Sequence, residues 1–433
     1  MKVQFLPLFL AGLASGALPT IETYGNKFYD SNGNQFFMKG KFHFVPSGMS
    51  YQLRPKDPLI DTEQCKRDIE LMSELGVNCI RVYHVDPKAD HDGCMNAFDE
   101  AGIYVTVDLD TFNTFILPYD SYWNTTQFES YSAVMDTFIQ YDNLLGFYVG
   151  NEIIAKMDQS HSAPFIKAAA RDMKAYRDSK GYRKVPIGYT ATDIAELRPM
   201  LQDYLTCGGN QSEIIDFFGL NAYEWCTPNT YEASGYPKLQ EMAEQFPVPI
   251  FFSETGCITG PEPRAWEDMD AIFSEPMIDD WSGAIVYEWI YEQNEYGIVS
   301  YGPPVDQAIV TGDVFDGFTR KGTPTPRQPD FDNLKTRWAA ITPKGTPMSE
   351  YDPSRVSTRE CPKSTSGGWE VDGNVALPSL DETFSGSFSP SPTVDPNAQP
   401  TAVDNEEDAA PAKELVAIHA AVVAGALMVA LWL

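Results

Sequence analysis

Between residues 35 and 289, short runs rich in β-branched and aromatic residues return about every 30 to 40 residues, separated by segments of helical period, and this alternation leaves few folds open. The runs are 35–44, 78–85, 104–110, 144–151, 185–191, 216–223, 248–254 and 283–289. Helices are expected at 62–75, 94–101, 131–141, 163–180, 195–205, 237–245, 268–281 and 331–340. Phe165, Ala168, Ala169, Met173 and Tyr176 form the apolar stripe of a helix lying on a sheet. Eight strands alternating with helices predict an α/β fold, a (β/α)8 TIM barrel over 18–345, with the hairpin-like stretch 23–37 covering its lower end. A doubly wound open sheet is the alternative, but neither GxGxxG nor a P-loop follows any of the strands.

The termini read differently from this middle. Residues 1–17 carry Lys2, an apolar run and Ser15-Gly16-Ala17, the pattern of a signal peptide that leaves a mature start at Leu18. After the barrel, 346–413 reads as an extension and a disordered linker, rich in Ser, Thr, Pro and Gly from about Ser364 to Pro400. Residues 414–433 are nearly all apolar with no basic segment behind them, the order expected of a glycolipid-anchor signal that is removed. A retained membrane span is the competing reading. The expected location is the outer face of the plasma membrane and the cell wall. A balance of 31 Lys and Arg against 61 Asp and Glu, formally −30, repels phosphate backbones and excludes nucleic acid as a partner.

Seven cysteines suit an oxidising compartment. Cys79 lies in an apolar strand run, where a free buried thiol is ordinary, and the remaining six can pair in 15 ways. No Cys or His cluster has metal-ligand spacing, and no cofactor motif is present. Asn124 and Asn210 open N-glycosylation sequons.

In such barrels the chemistry sits where strands end. The fourth run closes on Asn151-Glu152 and the seventh on Ser253-Glu254, 102 residues apart. Two facing carboxylates meet the needs of glycosidic bond chemistry: a neutral acid protonates the leaving oxygen and an ionised group attacks the anomeric carbon. Asn151 is positioned to bond a sugar 2-hydroxyl. Glu224, Glu288, Glu292 and Glu295 compete for the nucleophile's place. Glu288 is the strongest rival, but it alternates with Tyr287 and Trp289, and in a strand only one parity faces the axis. Tyr223, Trp225, Tyr287, Trp289, Tyr291 and Tyr296 crowd the same rim, about half of them expected as ordinary packing.

Five ordered motifs, NCIRVYHVDPKADHDGCMNAF, LLGFYVGNE, NAYEWC, FFSETGC and WSGAIVYEWIYEQNEYGIV, resemble the fungal β-1,3-glucanosyltransferases of the Gas/Gel/Phr type, glycoside hydrolase family 72, from about Tyr24 to Thr342. The resemblance implies a retaining transglycosylase that cuts β-1,3-glucan and passes the new end to another glucan chain. By motif position, Glu152 resembles the acid/base and Glu254 the nucleophile. Tyr83, Asp108, Asn151, Tyr223, Tyr287 and Tyr296 resemble sugar-site residues. The implied disulfides are Cys65 with Cys94, Cys226 with Cys257, and Cys207 with Cys361. The chain departs from the family pattern in three places. Phe44-Val45 stands where Tyr-Gln usually follows strand one, Thr114-Phe115-Ile116-Leu117 replaces Ser-Ile-Asn-Arg, and Thr255 replaces the aromatic after the nucleophile. No second cysteine-rich carbohydrate-binding domain follows the barrel. A β-1,3-glucanase releasing product to water, and a catalytically weak wall-binding protein, are the alternative functions.

Overall fold

The computed structural model describes residues 17–381, apart from 39–47, 54–56, 112, 120, 261, 310 and 374. The signal and anchor segments and Phe44-Val45 lie outside the described residues.

Three antiparallel strands, β1 (Ile21–Tyr24), β2 (Lys27–Asp30) and β3 (Gln35–Phe36), open the chain. The barrel follows: β4 (Gly48–Ser50), β5 (Cys79–Val82), β6 (Tyr104–Asp108), β7 (Leu144–Asn151), β8 (Ile187–Thr192), β9 (Phe218–Asn221), β10 (Ile250–Thr255) and β11 (Trp281–Val286). Neighbours pair in parallel, and β11 closes on β4. The helices between them are α1 (Thr62–Leu75), α2 (Asp92–Glu100), α3 (Thr125–Phe138), α4 (Ala163–Ser179), α5 (Arg198–Thr206), α6 (Tyr236–Ala243) and α7 (Glu267–Ile272), with α8 (Asp330–Ala340) after the last strand. Their ends follow local chemistry. Asp61 accepts the Gln64 N–H at the start of α1, whose end falls on Gly76 at φ +79°, and Asn124 forms a capping box with Gln127 at α3.

The first barrel strand corrects the expectation of one at 35–44. Gln35–Phe36 belongs instead to the N-terminal sheet, and barrel strand one is the three-residue Gly48–Ser50. The Tyr-Gln pair sought at 44–45 therefore stands directly after it, as Tyr51-Gln52. The N-terminal sheet plugs one barrel end. Phe28 and Phe36 pack there with Cys79, Tyr104, Tyr148, Phe217 and Phe251 in one apolar layer. Cys79 is free and fully buried in it.

The cysteines pair as Cys65–Cys94, Cys207–Cys361 and Cys226–Cys257. The second bridge ties the post-barrel segment to the end of α5, and that segment is packed further along than the expected linker start at Ser364. Trp369 and Val371 are each 1% exposed within the main core, and Asp381 accepts the Thr125 N–H at 2.8 Å. Cys361→Ser is expected to destabilise the protein by about 2 to 5 kcal/mol, because the bridge closes a loop of 154 residues. Thermal unfolding of the variant under non-reducing conditions checks this; an unchanged midpoint contradicts it.

Candidate active site

The floor of the barrel mouth is built around one cation. Arg81, on β5, is fully buried, a cost that only dense pairing offsets. Its guanidinium meets Asp108 on β6 at 3.0 and 3.3 Å, Asn151 Oδ1 on β7 at 3.0 Å, Thr190 Oγ1 on β8 at 3.1 Å, and Glu254 Oε1 on β10 at 3.4 Å. It also lies over the rings of Tyr83 and Tyr148 at 4.3 and 4.5 Å. Five strands thus converge on one charge.

Glu254 receives more than this cation. Tyr83 donates to its Oε1 and Tyr223 to its Oε2, each at 2.8 Å, and Asn221 reaches it as well. Burial pushes the Glu254 carboxyl above the usual range, while Arg81, Tyr83, Tyr223 and Asn221 draw it back. Glu152 is dressed differently. It accepts Asn221 Nδ2 at 2.9 Å and a bond from Thr192, and among the described residues no cation touches it, Arg81 acting on it only at longer range. Burial first, and then the charge of Glu254, push Glu152 up to about 7. Burial and a like charge favour the protonated form of Glu152, while Arg81 and the two tyrosines favour the ionised form of Glu254.

Asn151 accepts three bonds on its Oδ1, from Arg81, Thr190 (2.7 Å) and Asn221 (3.2 Å), which leaves its amide nitrogen to donate elsewhere. Asp108 is buried beneath the floor with both oxygens on Arg81, and burial raises it to about 7 against that cation. Tyr223, Tyr287 and Tyr296 stand edge to face, with ring centres 5.3 to 6.4 Å apart. These eight candidates share one site. Trp225 instead packs on Tyr236, Trp289 is buried with its indole N–H on Tyr301, and Tyr291 lies under Arg327.

Strand parity does not separate Tyr287 from Glu288, a correction to the sequence reading. Strand β11 ends at Val286, and the polar ends of both residues meet the Gln52 amide. Glu288 is fully buried and touches Gln52 and Asn294. Arg81, Asn221, Gln52, Thr190 and Asn294 were not singled out from sequence. Two signals existed: one charged residue in the apolar run 77–82, and an Asn closing the sixth strand as Asn151 closes the fourth. Of the sequons, Asn210 is exposed, and Asn124 caps α3 with its side chain. Among the described residues, no group of His, Cys, Asp or Glu could hold a metal ion.

A (β/α)8 barrel with two unequal carboxylates over its mouth is the arrangement on which glycosidic bond chemistry is built. The glucanosyltransferase family model matches residues 11–316, and the chain belongs to that family. A 1,3-beta-glucanosyltransferase of Arthroderma benhamiae is 38% identical over 372 residues, which are 85% of this chain and 64% of that protein. The 1,3-beta-glucanosyltransferase GAS2 of Saccharomyces cerevisiae is 36% identical over 381 residues, 85% of this chain and 64% of that protein. The chain thus spans a little under two thirds of the length of these relatives. Among solved structures, Saccharomyces cerevisiae Gas2p, as a mutant in complex with laminaritetraose and laminaripentaose, superposes with a TM-score of 0.71 at 37% identity. The match covers 82% of this chain and 74% of that one.

Proposed function

We propose that the protein is a retaining β-1,3-glucan transglycosylase in which Glu254 is the nucleophile and Glu152 the acid/base. The observation that carries the assignment is the inequality of the two carboxylates. Arg81, Tyr83 and Tyr223 all contact Glu254 and favour its ionised form, whereas Glu152 has only Asn221 and Thr192 as hydrogen-bond partners, feels Arg81 at longer range, and faces a negative neighbour. Glu254 attacks the anomeric carbon as Glu152 protonates the departing glycosidic oxygen. Once the ester to Glu254 has formed, its charge is gone, the pKa of Glu152 falls, and Glu152 can deprotonate the incoming hydroxyl. Retention calls for carboxyls about 5 to 5.5 Å apart. Asn221, in reach of both, supports so short a span. Asn151, with its amide nitrogen free to donate, serves the sugar 2-hydroxyl.

The donor and acceptor are β-1,3-glucan chains, the substrate class supported by the family and by the laminari-oligosaccharides bound to the Gas2p mutant. Incubation with a reduced laminari-oligosaccharide tests the reading. Products longer than the substrate support transfer, only shorter ones mean hydrolysis, and none means a binding protein. The location read from the termini, outside the cell on a glycolipid anchor, predicts release from membranes by a phosphatidylinositol-specific phospholipase; a protein that stays membrane-bound contradicts it.

The pH profile follows from the pair. Glu152 acts as acid only when protonated, so kcat/KM should fall as pH rises through about 7. Glu254 acts only when ionised, so activity should also fall as pH drops through its own raised pKa. An alkaline limb that persists unchanged in Glu152→Gln, measured with a substrate needing no acid, contradicts the assignment.

A further inference from the structure

Glu288 has no part in the reaction above, yet its carboxylate is fully buried beside the tyrosines of the cleft. Its Oε2 accepts from Gln52 Nε2 and its Oε1 from Asn294 Nδ2, both at 2.5 Å. The same two nitrogens donate to the Tyr287 hydroxyl oxygen, at 3.1 and 3.3 Å. The direction of these bonds is set from outside. Asn294 Oδ1 accepts the Tyr296 backbone N–H at 3.1 Å, so its nitrogen is the atom that faces the carboxylate. The Gln52 amide is turned the same way, nitrogen to the carboxyl, so both Glu288 oxygens accept, although burial and the charge of Glu292 push the Glu288 pKa well above the usual carboxylate range. A phenol oxygen has two lone pairs and one proton. With two N–H groups on the lone pairs, the proton of Tyr287 has to point away from Gln52 and Asn294.

We propose that Glu288 is a positioning residue that sets the hydrogen-bond polarity of Tyr287, holding its hydroxyl as a donor to an oxygen of the glucan in the cleft. This rests on the glucan-transfer reading given above. Glu254 does not compete for that proton, because Tyr83, Tyr223 and Arg81 already occupy it. Glu292 does not replace Glu288: it pairs with Arg320, and of the two protons on the Asn294 nitrogen one goes to Glu288 and the other is shared between Tyr287 and Glu292, both at 3.3 Å, so Gln52 is the firmer of the two donors to Tyr287. In Glu288→Gln the new amide nitrogen needs an acceptor. Asn294 stays fixed by the Tyr296 N–H, so Gln52 turns over and presents its carbonyl to Tyr287. The Tyr287 proton is then drawn inward and lost to the sugar.

The test is a double-mutant cycle on kcat and KM for a reduced laminari-oligosaccharide. Glu288→Gln and Tyr287→Phe should each lower kcat/KM about tenfold, mainly through KM, the size of one lost hydrogen bond. The double variant should be no worse than Tyr287→Phe alone, and Glu288→Asp, which keeps the acceptor, should recover part of the loss. If Glu288→Gln does not fold, Gln52→Leu removes the same bond from the other side and carries the same cycle with Tyr287→Phe. Wild-type kinetics in Glu288→Gln, or losses that multiply in the double variant, overturn the proposal while leaving the glucan reading intact. A wild-type protein that makes no product from glucan overturns that reading itself, and this inference with it.

Discussion

Glu254→Gln is expected to lower both glucan cleavage and transfer by on the order of 10⁴-fold or more, the scale on which loss of a covalent nucleophile acts. The amide has nearly the shape of the carboxylate: its oxygen can stay with Tyr83 and Arg81, and its nitrogen can donate to the hydroxyl oxygen of Tyr223. Arg81 keeps Asp108, Asn151 and Thr190. The variant should therefore fold and still bind laminari-oligosaccharides, with the loss in kcat. Steady-state kinetics beside a binding titration measure both. Retained turnover in Glu254→Gln, together with its abolition in Glu288→Gln, moves the nucleophile to the end of β11.

Glu152→Gln separates the two half-reactions. Loss of a positioned acid typically costs about 10²- to 10⁴-fold. That loss should appear in full on glucan, whose leaving sugar hydroxyl needs a proton. A substrate whose leaving group departs as a stable anion escapes the first penalty, and Glu254 should be glycosylated at close to the wild-type rate. Resolution then stalls, because no base activates the incoming hydroxyl. A burst of leaving group followed by slow turnover is the expected trace. Equal losses on activated and natural substrates contradict the role given to Glu152.

The barrel was legible because its later strands are apolar runs bounded by loops, and Glu152 and Glu254 because each closes such a run. Barrel strand one was not legible. Gly48–Ser50 holds three residues with no β-branched run, while the aromatic stretch beginning at Gln35 carried the stronger signal and belongs to the N-terminal sheet. The consequence reached the site: Tyr51-Gln52, which brings the amide of Gln52 to Tyr287 and Glu288, was overlooked. Arg81 was missed for a different reason. Its partners lie 27 to 173 residues away, and only closure of the barrel brings them to one charge. Trp369 and Val371 stand in a short run too sparse in apolar residues to signal an element, so composition suggested linker where tertiary packing and the Cys207–Cys361 bridge hold the chain. The rival reading of Glu288 turned on a strand alternation that stops at Val286. Its place is decided by Gln52 and Asn294 rather than by parity.

The most direct test of the account is to trap the intermediate. Glu152→Gln, incubated with an activated laminari-oligosaccharide donor, should accumulate protein heavier by the mass of one donor glycosyl unit. After proteolysis that mass should map to the peptide containing Glu254. Label on the peptide containing Glu288, or no covalent adduct while the leaving group is released, would contradict the assignment of Glu254 as the nucleophile of a retaining enzyme.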